Sequence, residues 1–236
     1  GHTEDAIASL AASITTFCEA FAPRPVTYRT IDFRTSEFRN LLGGLQLEAR
    51  AIHRVITSGA SNLHVMLPFV RTPQDVMRCI TLLGQEGLAL SDAGISAVSN
   101  DQATIPLWIM AEVPSVLWHL PKYRQVGIHG ISIGTNDLTQ LLLGADRDAS
   151  HLAHYTATDP AVVGFITDLI DAAHHLGMAT SICGQAPSIY PSYAEMLVRA
   201  GIHSISVTPD SLDVSRRQIA RAEQRMLLDH LHERAR

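Results

Sequence analysis

An α/β chain of the (β/α)8 barrel class, incomplete over its 236 residues, is predicted by three observations. Short apolar runs alternate with segments of helical period. The runs are apolar on both faces, as strands of a parallel sheet covered by helices must be. Strand after strand ends in a chemically useful side chain: Arg29, Glu112, Asn136 with Asp137, and Cys183 with Gln185. The third observation separates a barrel from an open doubly wound sheet. No GxGxxG or GxxxxGKS/T follows any strand, and residues from the ends of many strands converge only when the strands form a ring.

The strand candidates are residues 25–30, 63–69, 106–113, 127–134, 178–184 and 203–209, too few to close an eight-stranded ring. The helices between them carry their own start and stop signals. Thr72 reads as an N-cap with Pro73 in the first turn, followed by Val76, Ile80 and Leu83 on one face. Pro160 opens a second helix, with Val162, Val163, Ile166, Leu169, Ile170 and Ala173 as its apolar stripe and Gly177 as its stop. Ser192 and Glu195 have capping-box spacing, and Gly201 closes that helix. No linker, repeat or low-complexity tract divides the chain, so residues 1–236 are expected to form one domain.

Composition narrows the function classes. Hydrophobic residues make up 46% of the chain, enough for a large core. The net charge of -5, with no basic block, argues against a nucleic-acid partner. No apolar run approaches the roughly 18 residues of a membrane span. Cys18, Cys79 and Cys183 form neither a CxxC pair nor an even framework, which suits a reducing, cytoplasmic setting.

Glu112 and Asp137 end consecutive strands, where two carboxylates can share one cation such as Mg2+, with Arg29 suiting an anionic, oxygen-rich substrate. A plainer reading of Asp137 is that it caps the helix that follows. Glu112, a carboxylate between "WIMA" and "VPS" in a buried setting, is harder to read in so plain a way. Cys183 alone reads as a small core residue. His119, His129, His174 and His203 lack metal-ligand spacing and read as ordinary histidines.

Four motifs, "YRTIDFRTSEFRNLLGG" (28–44), "AEVPS" (111–115), "GISIGTNDLTQLLLGADRD" (130–148) and "SICGQAPS" (181–188), together resemble the C-terminal phosphoenolpyruvate/pyruvate-binding barrel of the PEP-utilising enzymes. That family includes phosphoenolpyruvate synthase, pyruvate phosphate dikinase and Enzyme I of sugar phosphotransfer. "ICGQAPS" and "LGADRD" are more similar to the synthase than to the dikinase.

The resemblance implies Mg2+ or Mn2+ on Glu112 and Asp137, substrate or phosphate contacts from Arg29, Asn136 and Arg147, and an acid/base thiol at Cys183. It implies a phosphotransferase of the pyruvate, water dikinase type that acts on pyruvate and phosphoenolpyruvate. Its partners would be the ATP-binding and phosphohistidine domains of a parent chain, with a homodimer as the expected assembly. ATP would enter only through the first of those domains, so the 236 residues alone are not expected to complete the reaction. Two other outcomes stay open: a non-catalytic dimerisation or binding barrel, and another Mg2+-enolate enzyme of the same superfamily.

The chain also departs from the family pattern. The first strand of the barrel is expected upstream of Thr3. An NPxLGxRG motif on the third strand would fall where Gly44 meets Leu45, so a missing segment is expected at that junction.

Overall fold

The computed structural model describes residues 2–31, 38–90, 103–144 and 156–234. Two compact units make up the chain. The first holds residues 1–110 and 118–130; the second holds 111–117 and 131–236.

In the first unit, helices α1 (His2–Phe21) and α2 (Phe38–Thr57) pack together, each with an apolar face at helical spacing. Ile7, Ala11, Ile14 and Cys18 are buried on α1, and Leu45, Ala49, Ile52 and Val55 on α2. Glu4 of α1 pairs with both Arg50 and Arg54 of α2 across the rim of that contact. Strands β1 (Val26–Arg29), β2 (Leu63–Leu67) and β5 (Leu107–Ala111) follow in parallel order, with Arg29 opposite Met66 and Leu67 opposite Ile109. Val65, Leu67, Leu107 and Ile109 are fully buried. Each such side chain contributes about 1.5–3 kcal/mol relative to exposure.

Between β2 and β5 lie α3 (Pro73–Gln85) and a separate parallel pair, β3 (Leu88–Leu90) and β4 (Ala103–Ile105). Thr72 caps α3 in a full capping box with Asp75. Val76 and Leu83 are buried as expected, but Cys79 and Leu82 complete the stripe where Ile80 was expected. Helix α4 (Val116–Gln125) leads from β5 towards β6.

The second unit continues the alternation. Its strands are β6 (Gly130–Gly134), β7 (Ala179–Cys183) and β8 (Ser204–Ile205), and its helices are α5 (Thr135–Leu143), α6 (Pro160–His175), α7 (Ala186–Ile189), α8 (Pro191–Arg199) and α9 (Leu212–Arg234). Asp159 caps α6 by accepting from the Ala161 N–H at 2.8 Å, with Pro160 in the first turn. The expected capping box at Ser192 does not form. Pro191 starts α8 one residue earlier, Tyr190 stands at the N-cap, and the Glu195 carboxylate turns outward to Arg199 (3.2 Å) and Arg225 of α9 (2.7 Å).

The fold is thus α/β, of the incomplete TIM-barrel type, with all six expected strands found shorter than their apolar runs, the last reduced from 203–209 to Ser204–Ile205. The Gly44–Leu45 junction lies inside α2, and β1 and β2, which that helix connects, are direct parallel neighbours.

Candidate functional site

Glu112, Asn136, Asp137 and Cys183 all belong to the second unit, at or just past the C-terminal ends of β5, β6 and β7. Strand β6 is buried along its whole length, with Ser132 its one polar side chain, and a cluster of polar residues follows where the strand stops. It stops at Gly134, and α5 starts at once with Thr135, Asn136 and Asp137 as its first turn.

Asp137 does not cap α5: Gly134 occupies that position and makes no side-chain cap bond. The carboxylate lies inside the first turn, where the helix dipole favours a negative charge, and it is only 9% exposed. Glu112, the first residue after β5, is 2% exposed. Asn136, between the two buried residues Thr135 and Asp137, is exposed.

Cys183 ends β7, and three bonds fix its surroundings. Its thiol donates to the Ile133 carbonyl of β6 at 3.5 Å. Thr135 Oγ1 donates to the Cys183 carbonyl at 3.3 Å, and Thr139 Oγ1 donates to the Thr135 carbonyl at 2.7 Å. Gly184 then turns the chain with φ +124°, and a Cβ there would overlap Thr135 Oγ1. The thiol is therefore seated by the same turn that carries Asn136 and Asp137. Cys18 and Cys79 are buried, and burial pushes both thiols up, Cys79 to about 12, which suits structural rather than reactive roles.

Arg29 belongs to the first unit, exposed at the end of β1 with Nη1 3.9 Å from Met110 Sδ. Arg147 lies outside the described residues. Among the described residues, no three of His, Cys, Asp and Glu are grouped to hold a metal. His174 and His203 are engaged with Thr180, at 3.3 and 2.9 Å, and His64 accepts from the Trp108 indole N–H at 3.2 Å.

Sequence reasoning missed Thr135 and Gly184, although both stand inside quoted motifs. It also missed Phe69, two residues past β2, which adopts φ +49° with the Arg71 guanidinium 4.6 Å from its ring centroid. A bulky residue in that conformation stores about 1–3 kcal/mol.

Among the described residues, no helix is long and apolar enough to cross a membrane. Comparison with known proteins gives consistent matches. Residues 43–224 match the family model described as PEP-utilising enzyme, PEP-binding domain. A probable phosphoenolpyruvate synthase of Staphylothermus marinus is 39% identical over 258 residues, covering 96% of this chain and 30% of its own length. The phosphoenolpyruvate synthase of Aquifex aeolicus is 36% identical, covering 87% of this chain and 26% of its own length. This chain therefore spans about three-tenths of the length of such relatives. The 258-residue aligned span exceeds the 236 residues present, so the relative carries residues within the matched region that this chain lacks.

Among solved structures, a Haloferax volcanii malate synthase magnesium/glyoxylate complex shares the fold, with a TM-score of 0.62 at 15% identity, over 90% of this chain and 60% of that one. An HpcH/Hpal aldolase/citrate lyase family protein from Burkholderia cenocepacia shares it with a TM-score of 0.56 at 18% identity, over 94% of this chain and 80% of that one. By its family match and by relatives above 30% identity across nearly its whole length, this chain belongs to the PEP-utilising enzymes, as their PEP-binding domain.

Proposed function

We propose that this chain is the pyruvate/PEP-binding catalytic domain of a phosphoenolpyruvate synthase-like phosphotransferase. A phosphoryl group would pass from a phosphohistidine on another domain of the parent protein to the enolate oxygen of pyruvate. The observation that carries this reading is the pair of buried carboxylates, Glu112 and Asp137, at the ends of consecutive strands within one compact unit. Two buried acids suit Mg2+, a hard ion that takes one or two carboxylates and leaves its other positions to water and substrate oxygens. The magnesium/glyoxylate complex of the Haloferax malate synthase supports that choice of ion.

The cation, when bound, supplies stabilisation of the negative charge that develops as the enolate forms. The chain's own residues do the rest. Cys183, as thiolate, takes a proton from the methyl carbon of pyruvate, and the C–H electron pair moves into the enolate. The enolate oxygen then bonds to phosphorus as the phosphorus–nitrogen bond to histidine breaks. In the reverse direction the Cys183 thiol returns the proton to the methylene carbon of phosphoenolpyruvate.

Arg29 and Arg147 hold carboxylate or phosphoryl oxygens by charge-assisted hydrogen bonds, and Asn136 orients the oxygen that gains charge. ATP enters only through the parent's ATP-binding domain, and a homodimer is part of the same reading. Three free cysteines support a cytoplasmic setting. The longer aligned span supports a missing segment within the chain, and its placement at the Gly44–Leu45 junction rests on the resemblance to the family pattern.

Calorimetry tests the metal assignment. Oxalate resembles the enolate of pyruvate in shape and charge, and it should bind this chain only with Mg2+ or Mn2+ present. Glu112→Ala and Asp137→Ala should each weaken oxalate binding about a hundredfold, the loss expected when one ligand of a two-carboxylate site is removed. Parent-like affinity in both variants would place the site elsewhere.

A further inference from the structure

Arg29 ends β1, and one carboxylate holds a group on each side of it, a side-chain hydroxyl before and a backbone N–H after. Tyr28 Oη donates to Glu48 Oε1 at 2.7 Å. The N–H of Ile31 donates to both oxygens of the same carboxylate, at 3.1 and 3.0 Å. Between them, the Thr30 N–H donates to the Met66 carbonyl of β2 at 3.0 Å. Residues 28, 30 and 31 are each held, and Arg29, between them, is exposed at the strand end with Nη1 3.9 Å from Met110 Sδ.

Glu48 occupies an unusual place for a carboxylate. It stands on α2 three residues after Leu45, next to Ala49 and four residues before Ile52, all fully buried. Burial pushes its carboxyl up, while the bonds from Tyr28 and Ile31 pull it down. A Leu or Ala there would extend the apolar stripe without the cost of a half-buried acid. The acid gains a bidentate hold on an exposed stretch of backbone that no apolar side chain can provide.

We infer that Glu48 is a positioning residue, which aims the Arg29 guanidinium by fixing the chain at Tyr28 and Ile31. The inference rests on the reading of Arg29 as a substrate-binding arginine. A merely structural acid would stabilise the chain whether or not Arg29 were present, whereas a positioning acid acts on ligand affinity only through Arg29.

A double-mutant cycle separates these cases, read as oxalate affinity by calorimetry on the chain saturated with Mg2+, with melting temperature recorded for each variant. Glu48→Ala should weaken oxalate binding about tenfold, and Glu48→Gln, which keeps an acceptor for the Ile31 N–H and a partner for Tyr28, should stay within about threefold of the parent. In an Arg29→Ala background, Glu48→Ala should cause no further loss. Equal losses in both backgrounds, or unchanged affinity in Glu48→Ala, overturn the inference. Should Glu48→Ala fail to fold, Tyr28→Phe removes one of the two donors and carries the same cycle. A parent chain that does not bind oxalate with Mg2+ overturns the proposed function itself, and an Arg29→Ala variant of parent affinity overturns the role of Arg29. Each failure is thus distinguishable from failure of the coupling.

Discussion

Cys183→Ser is expected to slow exchange of the pyruvate methyl protons with solvent deuterium about a hundredfold or more, since a hydroxyl far less acidic than a thiol is a poor carrier of a carbon-bound proton. The reaction needs no phosphoryl donor, so proton NMR in D2O with Mg2+ follows it on this chain alone. Oxalate affinity should stay within about twofold of the parent, because no ligand is lost. The thiol donates to the Ile133 carbonyl at 3.5 Å, and a serine hydroxyl can keep that bond with a small shift. A space-filling Cys183 predicts the opposite pattern: a loss of stability from poorer packing, with exchange per folded molecule unchanged. Parent-rate exchange in the Ser variant would remove Cys183 from the mechanism.

Gly184→Ala should cost about 2–4 kcal/mol, more than a solvent-facing substitution normally does. Two independent causes add here. The φ of +124° is one that L side chains rarely adopt, and the new methyl would overlap Thr135 Oγ1. Relief of that overlap, by rotating Thr135 or opening the turn, breaks the bond from Thr135 to the Cys183 carbonyl and loosens the seat of the thiol. Thermal melting and the deuterium-exchange rate should therefore fall together. Adding Thr135→Ala removes the overlapping hydroxyl and should restore part of the stability, leaving the backbone strain. A Gly184→Ala protein as stable as the parent would show that this turn does not hold Cys183.

Much of this arrangement is legible in the sequence because buried strands announce themselves. A run such as Gly130–Gly134 carries only Ser132 as a polar side chain, and the cluster of polar residues after it marks the strand end. The same contrast placed Glu112 and Cys183. It failed for β3 and β4, three residues each, too short to give a periodic signal. It failed at Ser192 because Pro191 can itself occupy the first helical turn, which moved the helix start by one residue. Glu48 was illegible for another reason. Its partners, Tyr28 and Ile31, lie twenty and seventeen positions away, and only the packing of α2 beside β1 brings them together. Gly184 and Thr135 were visible as letters, but their mutual exclusion is a fact of three-dimensional space.

The central claim is that Glu112 and Asp137 together hold a divalent cation that binds the substrate. Crystals of this chain grown with Mn2+ and oxalate, with anomalous differences recorded at a wavelength where manganese scatters strongly, test it most directly. The account predicts one dominant peak bonded to a carboxylate oxygen of each residue at about 2.1–2.3 Å, with oxalate completing the coordination. A peak bonded to neither carboxylate, or oxalate ordered without manganese beside Glu112 and Asp137, would contradict it.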